Sequence, residues 1–205
     1  MADGTDSVLR CGAVILAAGA STRMGSPKQL LTLSGQPLLA RAVESALEAP
    51  VWPVVVVLGA HAESIKPVLA KYPVLVAENP AWPEGMASSL RVGIGMLQQF
   101  SRRLDSAVVM LCDQPALKGA TIGRLIQAQC GSGRTIVAAR YAGRLGAPAL
   151  FLRSHFAELA ALTGEAGARD LLKAQPERVL AVDLPELATD LDTPEDVAAL
   201  RGNAG

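Results

Sequence analysis

Aromatic side chains are scarce in this chain: two Trp, two Tyr and three Phe make up 3% of 205 residues, although half of all residues are hydrophobic. Ala, Val and Leu must therefore supply the packing. Net charge is absent as well, with 19 basic residues balanced by 19 acidic ones. That balance excludes a broad electrostatic footprint for nucleic acid or an anionic membrane, so a bound anion must be held by a local cluster of charge. Cysteine is limited to Cys11, Cys112 and Cys130, which form no CxxC pair and no even framework. Such usage suits a reducing cytosol. "MADGTDSVLR" has no basic region leading into an apolar stretch, which argues against a signal peptide. No apolar run approaches the ~20 residues of a membrane span. A soluble cytoplasmic protein is expected, with one domain over 1–205 and residues 1–10 flexible.

What is present alternates. "CGAVILAA" is short, continuously apolar and closed by Gly19, the mark of a strand buried on both faces. "VVVVLG" (54–59), "VLVAEN" (74–79), "SAVVMLCD" (106–113), "RTIVAARY" (134–141) and "RVLAVDL" (178–184) read as further strands, and "AGRLGAPALF" as a turn and a short strand. Between them, "PLLARAVESALEA" places Leu38, Leu39, Ala42, Val43, Ala46 and Leu47 on one helical stripe. Helices are also expected over "AESIKPVLAKY", from near Gly85 or Met86, over "ATIGRLIQAQC", and over 153–162 and 166–174. This order predicts an α/β fold, a mostly parallel sheet with helices on both faces. Ligands of such sheets sit beyond the carboxyl ends of the strands, where the loops after strands one, three and four emerge.

The first of those loops, "LAAGASTRMGSPKQLL" (16–31), carries one arginine and one lysine five positions apart and no acidic residue to pair with them. It is not GxGxxG, since only Gly19 and Gly25 are present. A P-loop needs lysine directly after its last glycine, whereas Ser26 and Pro27 intervene before Lys28. GxSxG also fails, because Arg23 occupies the final glycine position after Ser21. The small residues at 17 to 20 let a flat group approach the backbone, so that amides and carbonyls can read a base edge. Arg23 offers a planar fork to phosphate oxygens and Lys28 a mobile point charge. A nucleoside triphosphate partly neutralised by a divalent metal matches that supply.

The stretch resembles the signature of the MobA-like nucleotidyltransferase family, (L/T)AAGxSxRMGxxK, through Leu16, Ala17, Ala18, Gly19, Ser21, Arg23, Met24, Gly25 and Lys28. Further segments resemble the family in order: "ENPAWPEGMASSLRVGI" (78–94), "LCDQP" (111–115), "GAPALF" (146–151), "GEAGARDLL" (164–172) and "DLDTPEDV" (190–197). The likeness implies a Rossmann-like fold of the nucleotide-diphospho-sugar transferase type. It also implies transfer of a nucleotidyl group from a nucleoside triphosphate to a phosphate of the acceptor, releasing pyrophosphate. The acceptor phosphate is then the nucleophile and the protein supplies none, which fits a chain whose two histidines, His61 and His155, lie in no motif and read as surface residues near helix starts.

On this reading Arg23 and Lys28 hold the β- and γ-phosphates, and Asp113 holds Mg²⁺, with Mn²⁺ the alternative. Asp190 and Asp192 form a D-x-D pair in which Asp192 is the second metal ligand, although "DTPED" also reads as a capped helix start. Leu16, Ala17, Ala18 and Gly19 line the nucleotide. Asn79 bonds a base or ribose, Gly85 permits close approach, and Ser88 and Ser89 lie at the amino end of a helix. Met86, Met96 and Met110 read as core.

Ala18 resembles the cytidylyl-transferring members, since guanylyl-transferring relatives carry LAGG there; CTP is the expected donor. The resemblance implies molybdopterin or molybdenum cofactor as acceptor, and a xanthine-dehydrogenase-type molybdoenzyme as receiving partner. Ala147 stands where the cytidylyl-transferring members carry histidine, which leaves a sugar- or polyol-phosphate acceptor open. Guanylyl transfer to molybdopterin stays open too, as does a non-catalytic accessory role beside a molybdoenzyme.

Overall fold

The computed structural model describes residues 9–189. Seven strands form one sheet: β1 (Cys11–Ala17), β4 (Val54–Leu58), β5 (Leu75–Glu78), β6 (Ser106–Leu111), β7 (Ile136–Tyr141), β8 (Arg144–Leu152) and β9 (Val179–Asp183), while β2 (Thr32–Leu33) and β3 (Gln36–Pro37) make a separate small ribbon. The order across the sheet is β5-β4-β1-β6-β8-β7-β9. Every pairing is parallel except those of β8, which runs antiparallel to both β6 and β7.

Strand β1 explains why the sequence shows no alternation there. Ala13, Ile15 and Ala17 face one layer of core, Val14 and Leu16 the other, and all are buried. A strand covered twice must be apolar at every position. Helices α1 (Leu38–Leu47), α2 (Ala62–Leu69) and α4 (Gly119–Gln129) cover the first face. Helices α3 (Met86–Phe100), α5 (Phe156–Ala161) and α6 (Ala168–Ala174) cover the second. On α1 the expected stripe is found, with Leu38, Leu39, Ala42, Val43 and Ala46 buried and Leu47 partly so. Gly93 of α3 lies where Val14 leaves no room for a Cβ, which brings this helix close over the centre of the sheet.

Several expectations change. The short strand expected near 142–151 is nine residues long. Its glycine and proline interrupt the apolar pattern, because Gly146–Pro148 falls where the register with β7 shifts between Ala138 and Ala139. Pro148 has no N–H to give to a ladder, and a bulge accommodates it. Strand β6 stops at Leu111, so Asp113 stands two residues beyond the strand rather than on its last position. His155 is fully buried, against the surface placement expected of it, and its ring bonds Thr135 Oγ1 at 2.7 Å and Glu158 Oε2 at 3.2 Å. Of the segment expected to be flexible, residues 1–8 lie outside the described residues, and Arg10 is anchored by Asp105. Among the described residues no helix is long and apolar enough to cross a membrane.

Beyond the carboxyl end of β1 the chain enters the glycine-containing loop, and beyond the carboxyl end of its neighbour β6 it reaches Asp113. The connection leaving β1 crosses one face through α1, and the connection entering β6 crosses the other through α3. Strand order reverses at this place, which opens a crevice.

Candidate functional site

The loop after β1 is folded back on itself by its own polar side chains. Ser21 adopts a left-handed conformation (φ 54°), a single 3₁₀ turn follows at Thr22–Met24, and Gly25 is also left-handed (φ 67°). A second turn, Lys28–Leu30, returns the chain to the sheet edge. Gln29, in that turn, is buried, and its Nε2 donates to the carbonyls of Ala17 and Gly19, both at 2.9 Å. The Lys28 backbone N–H donates to Ser21 Oγ at 3.1 Å. Arg23 has its backbone in the first turn, within the same loop.

The result is a long-range encounter. Lys28 Nζ lies 2.5 Å from Asp113 Oδ2, between residues 85 apart in sequence. The two side chains are 21% and 10% exposed. The other carboxylate oxygen of Asp113, Oδ1, is buried and has no hydrogen-bond partner. A buried anionic oxygen without a partner is costly, and it signals a ligand, water or ion that belongs there.

Around this pair lies a cleft of about 380 Å³. One wall is Leu16 with the loop residues Ala18 to Thr22. Leu111, Cys112 and Asp113 of the β6 end line it too, and Trp82, Pro83, Gly85, Met86 and Ser89 form the opposing wall. Glu165 also reaches it. Two glycines make this closeness possible. A Cβ on Gly59, just after β4, would meet the Ala18 carbonyl oxygen at 2.6 Å and Trp82 Cβ at 2.8 Å. Gly85 (φ 105°) sits against Gly164, whose carbonyl accepts the Ala87 N–H at 3.2 Å, and this docking carries Glu165 to the cleft.

Of the residues singled out in the sequence, Leu16, Ala18, Gly19, Lys28, Gly85, Ser89 and Asp113 line one cleft. Ala17, Asn79 and Ser88 do not. Asn79 is buried behind the wall, where its Nδ2 donates to Ser88 Oγ at 2.7 Å and Ser89 Oγ at 3.0 Å. Its Oδ1 accepts the Ala81 N–H at 3.1 Å, so that amide pins the turn ahead of α3. Met86, expected in the core, is 40% exposed at the cleft. His61 does precede a helix, but its Nε2 donates to the Ala20 carbonyl at 3.2 Å, a loop contact not foreseen. Asp190 and Asp192 lie outside the described residues.

Gln29, Gly59, Trp82, Gln114 and Glu165 escaped the sequence reading. Gln29 had one faint signal, a polar residue directly before two leucines in a turn. Gln114 follows Asp113, is buried, and donates from Nε2 to Tyr141 Oη at 3.2 Å and the Ala147 carbonyl at 2.9 Å. It thereby ties the Asp113 loop to β7 and β8, and nothing in the local pattern announces it.

The chemistry available is electrostatic. Burial, with the negative charge of Asp113 adding to it, pushes the Cys112 thiol up to about 12, so it stays protonated at neutral pH and is no nucleophile. Among the described residues no group of three or more His, Cys, Asp or Glu side chains could hold a metal ion. A hard dication can nevertheless be held by one or two carboxylates with the remaining positions filled by water and phosphate oxygens, and the unpartnered Oδ1 of Asp113 fits that role.

Comparison with known proteins follows the same line. Residues 13–179 match the MobA-like NTP transferase domain. The chain is 34% identical over 199 residues to nicotine blue oxidoreductase of Paenarthrobacter nicotinovorans, covering 91% of this chain and 94% of that protein. It is 33% identical over 125 residues to molybdenum cofactor guanylyltransferase of Sinorhizobium fredii, covering 61% and 56% of the two. Among solved structures, Rv0371c of Mycobacterium tuberculosis superposes with a TM-score of 0.79 at 33% identity, over 95% of this chain and 98% of that one. A manganese complex of the same protein superposes with a TM-score of 0.72 at 31% identity, over 93% and 97%.

Proposed function

The chain belongs to the MobA-like NTP transferase family, a family of nucleotidyltransferases, and from that premise we propose that it is a molybdenum cofactor cytidylyltransferase. It moves CMP from CTP onto the phosphate of molybdopterin or molybdenum cofactor. The acceptor phosphate oxygen attacks the α-phosphorus, the bond from that phosphorus to the bridging oxygen breaks, and pyrophosphate leaves with its electrons. The observation that carries the reading is the meeting of Lys28 and Asp113 in one cleft, with a carboxylate oxygen left unpartnered.

The residues divide the work as follows. Arg23 and Lys28 bind the β- and γ-phosphates and neutralise charge on the departing pyrophosphate. Asp113, with Asp192 as second ligand, holds Mg²⁺ or Mn²⁺. When bound, that ion neutralises phosphate oxygens as a Lewis acid; the manganese complex of Rv0371c supports the use of a divalent cation. Leu16, Ala18 and Gly19, then Gly85 and Ser89, bound the nucleotide, while Ala17 lies in the core beneath and Asn79 and Ser88 hold the wall from behind. The alanine at 18 supports a pyrimidine, and the Sinorhizobium relative supports a molybdenum-containing acceptor. The product passes in the cytoplasm to a molybdoenzyme of the xanthine-dehydrogenase type. One domain carries the whole activity.

One relative favours a second reading. The nicotine blue oxidoreductase matches over nearly the full length of both chains, so an oxidoreductase activity in the same cleft is the competing reading. The test is purified protein with Mg²⁺, molybdopterin and each of the four triphosphates in turn. Pyrophosphate and a cytosine–pterin dinucleotide are expected with CTP. A guanine dinucleotide would move the base assignment to GTP. No pyrophosphate with any triphosphate, alongside reduction of nicotine blue by a supplied two-electron donor, would replace the transferase reading by the redox one.

A further inference from the structure

The loop after β1 has an unusual division between its donors and its acceptors. Every carbonyl from residue 17 to residue 20 is engaged by another part of the protein. Gln29 Nε2 donates to Ala17 and to Gly19 at 2.9 Å each, the Ala60 N–H donates to Ala18 at 3.0 Å, and His61 Nε2 donates to Ala20 at 3.2 Å. In a trans peptide the N–H points opposite to the carbonyl that shares its plane. The N–H groups of Ala18 and Ala20 are therefore turned away from Gln29, those of Gly19 and Ser21 away from Ala60 and His61. Ala18, Gly19, Ala20 and Ser21 all line the cleft. Gln29 therefore fixes the peptide planes that carry the Ala18 and Ala20 N–H groups, and both residues line the cleft.

We propose that Gln29 is a positioning residue that makes this loop a surface of N–H donors, selective for a ligand edge made of hydrogen-bond acceptors. One buried amide holds two carbonyls on the same side, so two N–H groups are set by one side chain. Gln29 follows Lys28 in the same short turn, and its Oε1 accepts from Ser21 Oγ at 3.4 Å, while Ser21 Oγ in turn accepts the Lys28 N–H at 3.1 Å. The side chain that orients the amides thus also fixes the turn that delivers the Lys28 ammonium. Acceptor atoms come from two sources in a cytidine triphosphate, the phosphate oxygens and the O2/N3 edge of cytosine. A base edge that offers only amino and N–H groups meets carbonyls of residues 17 to 20 that already accept one hydrogen bond each.

The inference rests on the nucleotidyltransferase reading, and calorimetry separates the two. Inorganic tripolyphosphate, CTP and Mn²⁺ are each titrated into wild-type protein and into Gln29→Met. Affinity for tripolyphosphate is expected to fall by about tenfold or more, as losing two donors implies, while Mn²⁺ affinity stays at the wild-type value. A loss confined to CTP would support the donor surface and assign it to the base edge. His61→Phe, on the half-buried rim, is expected to weaken the same ligand by a smaller factor and serves if Gln29→Met does not fold. Unchanged binding of both polyanions in a folded variant, or an equal fall in Mn²⁺ affinity, would overturn the positioning role. Wild-type protein that binds neither polyanion would overturn the nucleotidyltransferase reading itself.

Discussion

Two ion pairs join the same two strands at opposite ends, and they differ in kind. Before β1 and β6, Arg10 and Asp105 form a two-pronged pair, with both nitrogen–oxygen distances at 2.9 Å and the Arg10 N–H adding a third bond at 3.1 Å. Its side chains are 55% and 37% exposed, and both carboxylate oxygens have partners. Beyond the carboxyl ends of β1 and β6, Lys28 Nζ meets Asp113 Oδ2 at 2.5 Å, at 21% and 10% exposure, and the other carboxylate oxygen is buried without a partner. The first pair is complete in itself and close to solvent, as a structural clamp is. The second is desolvated and unfinished, since a buried carboxylate oxygen keeps bonding capacity that no protein group uses.

The comparison is broken first at the unfinished end. Lys28→Ala is expected to lower turnover by on the order of a hundredfold or more, as removal of an electrostatic donor does, and Arg23→Ala to act in the same range. Wild-type rates of pyrophosphate release in either would remove the phosphate clamp from the account. Asp113→Asn is expected to abolish stimulation by Mg²⁺ while leaving the thermal midpoint near its original value. Chelation should silence the wild-type protein and leave that variant at its residual rate; a variant that still responds to Mg²⁺ would show that the ion binds elsewhere.

The clamp end should behave oppositely. Asp105→Ala is expected to leave pyrophosphate release unchanged and to lower the melting midpoint by a few degrees at most, the modest effect of an exposed pair. Altered catalysis in that variant would show the two ends to be coupled through the strands. The smallest effect is on pH. Hydrogen bonds from Arg10 hold the Asp105 carboxyl below its usual value, and those from Arg140 do the same for Asp183. Groups depressed in the folded state contribute stability that is present above their unfolded values, near ~4, and that is lost as pH falls through the folded ones. Melting midpoints followed from neutral pH to about pH 2 should therefore decline more steeply in the wild type than in Asp105→Ala. Parallel declines would mean that the pair carries no such linkage.

How much of the fold and site is legible in the sequence depends on whether the cause is local. Strands β1, β4 and β6 stand out as solid apolar runs, because burial on both faces leaves no room for polar alternation. Helix α1 shows its stripe because it is covered on one side. Asp113 is marked as a charged group just past such a run and Lys28 as a cation in the loop that follows another, where α/β sheets place ligands. The residues that shape the site are not legible. Gln29, Gly59 and Gln114 act on partners distant in sequence or through close backbone approach, and neither composition nor periodicity encodes a contact. Asn79 shows the reverse case, since a polar residue beside a strand end reads as a ligand contact, whereas its amide bonds Ser88 and Ser89. His155 is misplaced for a similar reason, because the hydroxyl that meets its ring belongs to Thr135, 20 residues away, and only Glu158 is a local partner.

The central claim is that the Lys28–Asp113 pair opens to receive a metal-bound triphosphate. Its most direct test is a crystal structure with Mn²⁺ and a non-hydrolysable CTP analogue, reading the anomalous signal of manganese. The account predicts a peak about 2.1 Å from a carboxylate oxygen of Asp113, the spacing of a hard octahedral ion, with Lys28 Nζ moved onto a phosphate oxygen. Manganese and nucleotide bound elsewhere, with Lys28 still on Asp113, would contradict it.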